Sequence, residues 1–299
     1  MELSTLIRRS LKSDLVITAY VYGEFGYGKT SYALWTAYEV LGSWGRVLDH
    51  LFFDPGEVVR VMGRAIERGE RLQIIVMDDA GLWLDRLTWW ETDKVAFMEF
   101  FNLIRSVAAG VVFTTPSEEL PRQLVRKCFF RVSVKPAFKD TIVKYVGTEG
   151  YESLVKVAEQ FGVKPVFNMA VGYRLRMLPS FMEYVKKEFY DFYPLQYPTL
   201  VYETYREKRQ RAVRTYFERW RARVEGSKTR NREDLVNLAR ELIEKGRDRA
   251  EVVRELMKLG VPKVTAYRWV KKILRNSWTT SLPQAEDAYN DTRGEDLYG

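Results

Sequence analysis

Residues 23–35, GEFGYGKTSYALW, constrain the fold more than any other stretch of the chain. Gly23, Gly28, Lys29 and Thr30 satisfy Gly-x4-Gly-Lys-Ser/Thr, a spacing that lets backbone N–H groups converge on an anion with no Cβ in the way. The flanks supply the context this motif needs. LVITAYVY (15–22) is an apolar, β-branched and aromatic run that predicts a buried strand, and SYALWTAYEVL (31–41) has helical spacing. Strand, loop and helix in that order place a helix N-terminus, with its partial positive charge, behind the loop. Gly23, Gly26, Gly28, Lys29, Thr30 and Ser31 are therefore the candidate phosphate-binding residues.

A chain of 299 residues with 46% hydrophobic content can bury a large core in one or two domains. Its longest apolar runs, such as LQIIVM (72–77), fall far short of the ~20 residues that span a bilayer. MELSTLIRRSLKSD lacks an apolar segment of signal type, so no membrane partner and a cytoplasmic location are expected. Cys128 is the single cysteine and His50 the single histidine, which leaves neither an internal disulfide nor a Cys/His metal cluster.

Through residues 1–135 strand and helix signals alternate. GEVVRVMGRAIERG (56–69) and KVAFMEFFNLIRSV (94–107) are spaced as helices; RLQIIVMDD (71–79), GVVFTTPS (110–117) and CFFRVSV (128–134) are apolar runs of buried strands. The pattern predicts an α/β fold with a parallel sheet and functional residues at the C-terminal ends of its strands. Residues 136–205 read as a mixed α/β extension whose aromatic-rich end could dock on the main domain or stack on bases. Residues 206–231 read as a basic helical linker and 232–276 as a small all-α domain. An acidic tail, 277–299, is expected to be disordered.

Two acids close the second strand. Asp78 stands where a carboxylate can hold Mg2+ together with the Thr30 hydroxyl, and Asp79 where a carboxylate can polarise an attacking water. A strand-end cap would also explain Asp79. DDAG (78–81) satisfies the Asp-x-x-Gly pattern of GTPases as well, but TTPS (114–117) offers no guanine-reading Asn/Thr-Lys-x-Asp segment. Thr114 and Thr115 instead suit a polar contact to water or to a terminal phosphate.

Together, Gly23–Thr30, Asp78–Asp79 and Thr114/Thr115 resemble the Walker A, Walker B and sensor 1 elements of AAA+ and related ATPases, including DnaA/Orc-type initiators and DnaC/IstB-type helicase loaders. The resemblance covers residues 14–135, with aspartate in place of the usual glutamate at position 79. It implies a P-loop NTPase domain, ATP and Mg2+ as cofactors, and catalytic roles for Lys29, Asp79 and Thr115. It also implies a homo-oligomer in which Arg122 or Arg126 acts as an arginine finger in a neighbouring site. Replication initiation or helicase loading follows as the expected process, with a helicase or another replication protein as partner. An ATP-gated transcription regulator and a DNA translocase for packaging or transfer are the alternatives. The compact size and C-terminal module also resemble ATPases carried by archaeal viruses and plasmids.

Residues 206–232 carry eleven Lys/Arg against three acidic residues, which accounts for the whole formal charge of +8. A solvated helix face can look the same. This block leads, however, into LMKLGVPKVTAYRWVKKIL (256–274), which resembles a helix-turn-helix: Gly260 ends one helix, Val261 fills the turn and Pro262 opens the next helix. Ala266, Trp269 and Val270 are spaced to face inward. Lys263, Thr265, Tyr267, Arg268 and Lys271 then face a groove, with Lys272 and Arg275 near phosphates. Double-stranded DNA is the expected partner, with Arg219, Arg221 and Arg223 supplying phosphate contacts.

Overall fold

The computed structural model describes residues 1–83, 92–116, 120, 122–177, 183–228 and 232–279. The chain divides into two compact units, Met1–Ala212 and Val213–Gly299. In the first, the strands are β1 (Ile17–Tyr22), β2 (Leu51–Phe52), β3 (Ile75–Met77), β4 (Gly110–Thr115), β5 (Phe130–Ala137), β6 (Phe167–Met177) and β7 (Glu183–Pro194). The helices between them are α1 (Glu2–Leu11), α2 (Lys29–Leu41), α3 (Trp44–Asp49), α4 (Pro55–Arg68), α5 (Ala80–Trp83), α6 (Thr92–Phe100), α7 (Ile104–Val107), α8 (Arg122–Val125) and α9 (Lys139–Gln160). A 30-residue helix, α10 (Thr199–Lys228), carries the boundary between the units.

All seven strands form one sheet, ordered β2-β3-β4-β1-β5-β6-β7. The first five run parallel and β6 and β7 are antiparallel additions. The apolar runs behave as expected of strands covered on both faces: Val111, Val112 and Phe113 are buried, as are Ile75, Val76 and Met77. Helix α2 lies almost wholly inside. Tyr32, Ala33, Leu34 and Ala37 are inaccessible, because β7 and α1 cover the side that the sheet leaves open.

The mixed segment after residue 136 thus extends the same sheet, and its aromatic residues Phe189, Phe192 and Tyr193 are buried. Strand β7 also anchors the start of the chain. Buried Asp191 accepts hydrogen bonds from the backbone N–H of Glu2 (2.5 Å) and Leu3 (3.3 Å) and from the Tyr32 hydroxyl (2.7 Å). One carboxylate therefore caps α1 and fixes α2. Burial raises the pKa of Asp191, and these donors pull it back toward the charged form. Asp191→Ala is expected to cost about 3 kcal/mol, since two helix N–H groups and a buried phenol lose their acceptor. A denaturant titration measures it; a change below about 0.5 kcal/mol contradicts this role.

The second unit contains α11 (Arg232–Glu244), α12 (Arg249–Lys258) and α13 (Lys263–Thr279). Leu235, Ala239, Val252, Val253, Leu256, Val261, Ala266 and Val270 form its core. Asp248 caps α12 by accepting from Glu251 N–H at 2.8 Å, and Gly260 takes φ +87° in the turn to α13. Helix α13 continues to Thr279, so the expected tail begins later than residue 277; residues 280–299 lie outside the described residues.

Candidate nucleotide site

The glycine loop joins β1 to α2. Gly26 and Gly28 have φ +84° and +73°, a region L side chains avoid. Position 28 is constrained twice: a Cβ there would fall 2.7 Å from Asn168 Nδ2 and 2.9 Å from Leu195 Cδ1. Those neighbours brace the loop from behind. Asn168 Nδ2 donates to the Tyr27 carbonyl (2.7 Å), the Tyr193 hydroxyl donates to the Gly28 carbonyl (3.2 Å), and Ser31 Oγ donates to the Leu195 carbonyl (2.5 Å).

Lys29 Nζ donates to the carbonyls of Gly23 and Glu24, both at 2.9 Å, and so sits within its own loop. Partial burial lowers its pKa, and the nearby charges of Asp79 and Asp78 oppose that shift. Beside it, Asp78 is fully buried at the end of β3. Its Oδ1 accepts from Thr30 Oγ1 (2.9 Å) and Thr114 Oγ1 (2.5 Å), and its Oδ2 accepts from the Tyr205 hydroxyl (2.7 Å). Burial and the Asp79 charge raise the Asp78 pKa, while the three hydroxyl donors hold it down. Thr114 also accepts from Asp79 N–H at 2.9 Å. Asp79 itself adopts φ +53°, and its Oδ2 accepts from Arg209 Nε (3.0 Å) and Nη2 (2.8 Å).

The structure therefore brings together the glycine loop, Lys29, Thr30, Asp78, Asp79 and the end of β4. The bond to Asp78 is made by Thr114; Thr115, fully buried, lies one residue further along. Arg122 and Arg126 fall between β4 and β5 as expected; the Arg122 side chain lies outside the described residues, and Arg126 is exposed. Sequence reasoning missed Tyr205 and Arg209. Both sit in the first turns of α10, and Arg209 belongs to the basic block, whose members look alike when only their charge is counted.

In the second unit, Ala266 and Val270 are buried, while Lys263, Tyr267, Arg268, Lys271, Lys272 and Arg275 are exposed and Thr265 is partly so. The Arg249 guanidinium lies over the Tyr267 ring at 5.3 Å. Arg219 and Arg221 are exposed on α10; the Arg223 side chain lies outside the described residues.

A glycine loop that leads into a buried helix, with β4 inserted between the loop strand and the strand of Asp78, makes this a mostly parallel α/β fold of P-loop NTPase type. No family model matches the chain. It is 37% identical over 123 residues to uncharacterized protein B-251 of Sulfolobus spindle-shape virus 1, covering 38% of this chain and 49% of that one. Against uncharacterized protein ORF286 of Acidianus two-tailed virus the identity is 29% over 119 residues, with 39% and 42% covered. The chain thus spans less than half the length of either relative. Among solved structures it is similar to the flagellar accessory protein FlaH of Methanocaldococcus jannaschii, at TM-score 0.29 and 11% identity over 57% of this chain and 89% of that one. The genome-packaging NTPase B204 of Sulfolobus turreted icosahedral virus 2, in complex with ATP-γ-S, gives 0.28 and 12% over 59% and 98%. Likeness this distant carries no statement about activity. Among the described residues, no helix is long and apolar enough to cross a membrane.

Proposed function

We propose that the chain is a Mg2+-dependent ATPase that acts on double-stranded DNA. The observation that carries this reading is the contact of Thr30 with Asp78, made next to a glycine loop that already holds a lysine ammonium. The residues fit Mg–ATP. The loop has glycines where a Cβ would clash, the first N–H groups of α2 have no intrahelical acceptor, and a hydroxyl and a carboxylate are already paired. Thr30 and Asp78 would hold the metal, which neutralises phosphate charge when bound. Lys29 would exchange its two carbonyl partners for phosphate oxygens, and Asp79 would accept a proton from the attacking water. Thr114, already fixed on Asp78, and Thr115 beside it would orient the terminal phosphate. Arg122 or Arg126 would complete a neighbouring copy's site.

Replication initiation or helicase loading is the process this reading favours. A second reading, an ATP-gated switch with little turnover, is favoured by one observation: Arg209 makes two bonds to one oxygen of the carboxylate that would act on water. ATP turnover measured with and without duplex DNA, over a range of protein concentrations, separates the two. Turnover that rises with DNA and with concentration supports the motor or loader; tight binding with negligible turnover supports the switch.

For DNA, the reading assigns α12 and α13 as a helix-turn-helix. Arg268→Ala should lower preference for a cognate duplex by roughly 1–3 kcal/mol if it makes a bidentate base contact. Neutralising Arg219 and Arg221 should instead weaken binding to every sequence and reduce the salt slope by about 0.9 for each phosphate that the protein no longer neutralises. Titrations of the full chain on cognate and scrambled duplexes at several salt concentrations check both. An equal loss on all sequences from Arg268→Ala would remove that residue from base reading.

A further inference from the structure

The first turns of α10 are fastened to the sheet domain at three polar points, two of them in the candidate site. Tyr205 donates to Asp78 Oδ2 at 2.7 Å, Arg209 makes two bonds to Asp79 Oδ2, and Lys208 Nζ donates to the carbonyls of Leu48 (2.5 Å) and Leu51 (3.2 Å) beside β2. Tyr205, Lys208 and Arg209 follow Val201 by four, seven and eight residues, so each falls close to the helical stripe that starts at Val201. That face is well seated. Val201 and Tyr205 are buried, and the Tyr205 ring lies 6.0 Å from Phe53 and 5.8 Å from Tyr197 between centroids.

Two of these three attachments, those of Tyr205 and Arg209, fall on the carboxylates that Mg–ATP and the attacking water need. Thr30 and Thr114 share Asp78 Oδ1, so the other oxygen is taken by Tyr205. The Arg209 guanidinium engages Asp79 Oδ2 through two donors, and those lone pairs cannot serve a water at the same time.

We propose that Tyr205 and Arg209 form an autoinhibitory latch, in which α10 closes the acid pair and must release it before nucleotide is held and hydrolysed. The inference rests on the reading of residues 23–30 and 78–79 as the nucleotide site. A ligand that binds only the open form has its apparent affinity reduced by the open fraction, so a weakened latch tightens binding. Arg209 and Tyr205 are here positioning residues that act by withholding Asp79 and Asp78.

The test uses the full chain, a slowly hydrolysed ATP analogue with Mg2+, and amide hydrogen exchange over residues 199–212. Arg209→Gln, which keeps a polar chain without the charge, and Tyr205→Phe, which keeps the ring, should each bind the analogue about tenfold more tightly than the parent. In the parent, adding the analogue should speed exchange in 199–212 about tenfold; in the variants exchange should already be fast without it. Lys29→Ala serves as the control on the site. If it abolishes binding while Arg209→Gln binds the analogue equally or more weakly, the latch is wrong and the nucleotide site stands. Arg209 would then be a ligand contact or a bystander. If Lys29→Ala binds as the parent does, the site reading fails and takes the latch with it.

Discussion

Lys29→Ala is expected to raise the dissociation constant for Mg–ATP by about 100-fold, equivalent to ~2.7 kcal/mol. The lysine ammonium already lies inside the glycine loop, where it bridges the carbonyls of Gly23 and Glu24 and is desolvated enough for its pKa to fall. A half-buried ammonium that exchanges carbonyl partners for phosphate oxygens gains a charge-assisted bond at little reorganisation cost. Its removal should leave the fold nearly unchanged. Its partners are two loop carbonyls at a partly exposed site, so the loss in stability should stay within about 1 kcal/mol. Isothermal titration of the variant beside its thermal unfolding curve measures both. Parent-like affinity in a folded variant would mean that Mg–ATP is held elsewhere than in this loop.

Asp79→Asn should separate binding from turnover in the opposite way. The amide keeps the shape of the side chain but cannot take a proton from water, and loss of a general base lowers rates by about 10²–10⁴-fold. Binding should survive, and should tighten, because Arg209 loses its anionic partner at the same time. Single-turnover hydrolysis measured together with equilibrium binding distinguishes the effects. Hydrolysis at the parent rate would make Asp79 a turn residue, held by its left-handed backbone and its N–H bond to Thr114, and another acid would have to be sought.

Local patterns made much of this legible in the sequence. The glycine loop declares itself within eight residues, Asp78 and Asp79 end an apolar run, and the strand of Thr114 falls beside theirs, where the polar role read for Thr114 and Thr115 puts it. In the C-terminal unit, Gly260, Val261, Ala266 and Val270 take the turn and core positions that their spacing implied. What stayed hidden depends on tertiary partners. Strand β7 shows no alternation because both its faces are covered: Phe189 and Asp191 on one side, Phe192 on the other, are all buried. Helix α1 does leave a signal, Leu3, Leu6, Ile7 and Leu11 at helical spacing, but spacing alone does not announce what covers them. Arg209 is hidden among its ten basic neighbours in residues 206–232, and charge counting cannot tell which member of a run turns inward. The face that gives it away, Val201 and Tyr205 about two turns and one turn before it, begins in front of the block.

The brace behind the glycine loop has a consequence for the order in which the protein is made. Tyr193 lies 165 residues downstream of the Gly28 carbonyl it bonds, and Asn168 lies 141 downstream of Tyr27. At ribosomal rates of about 5–20 residues per second, Tyr193 emerges roughly 8–33 s after the loop does. During that interval α2 exists without its cover. Tyr32 has no Asp191 to receive its hydroxyl, and the apolar faces of Leu34 and Ala37 are open. The loop that defines the chain at first reading is thus among the last parts to reach its final shape. A nascent chain halted before β7 should bind chaperones and not nucleotide.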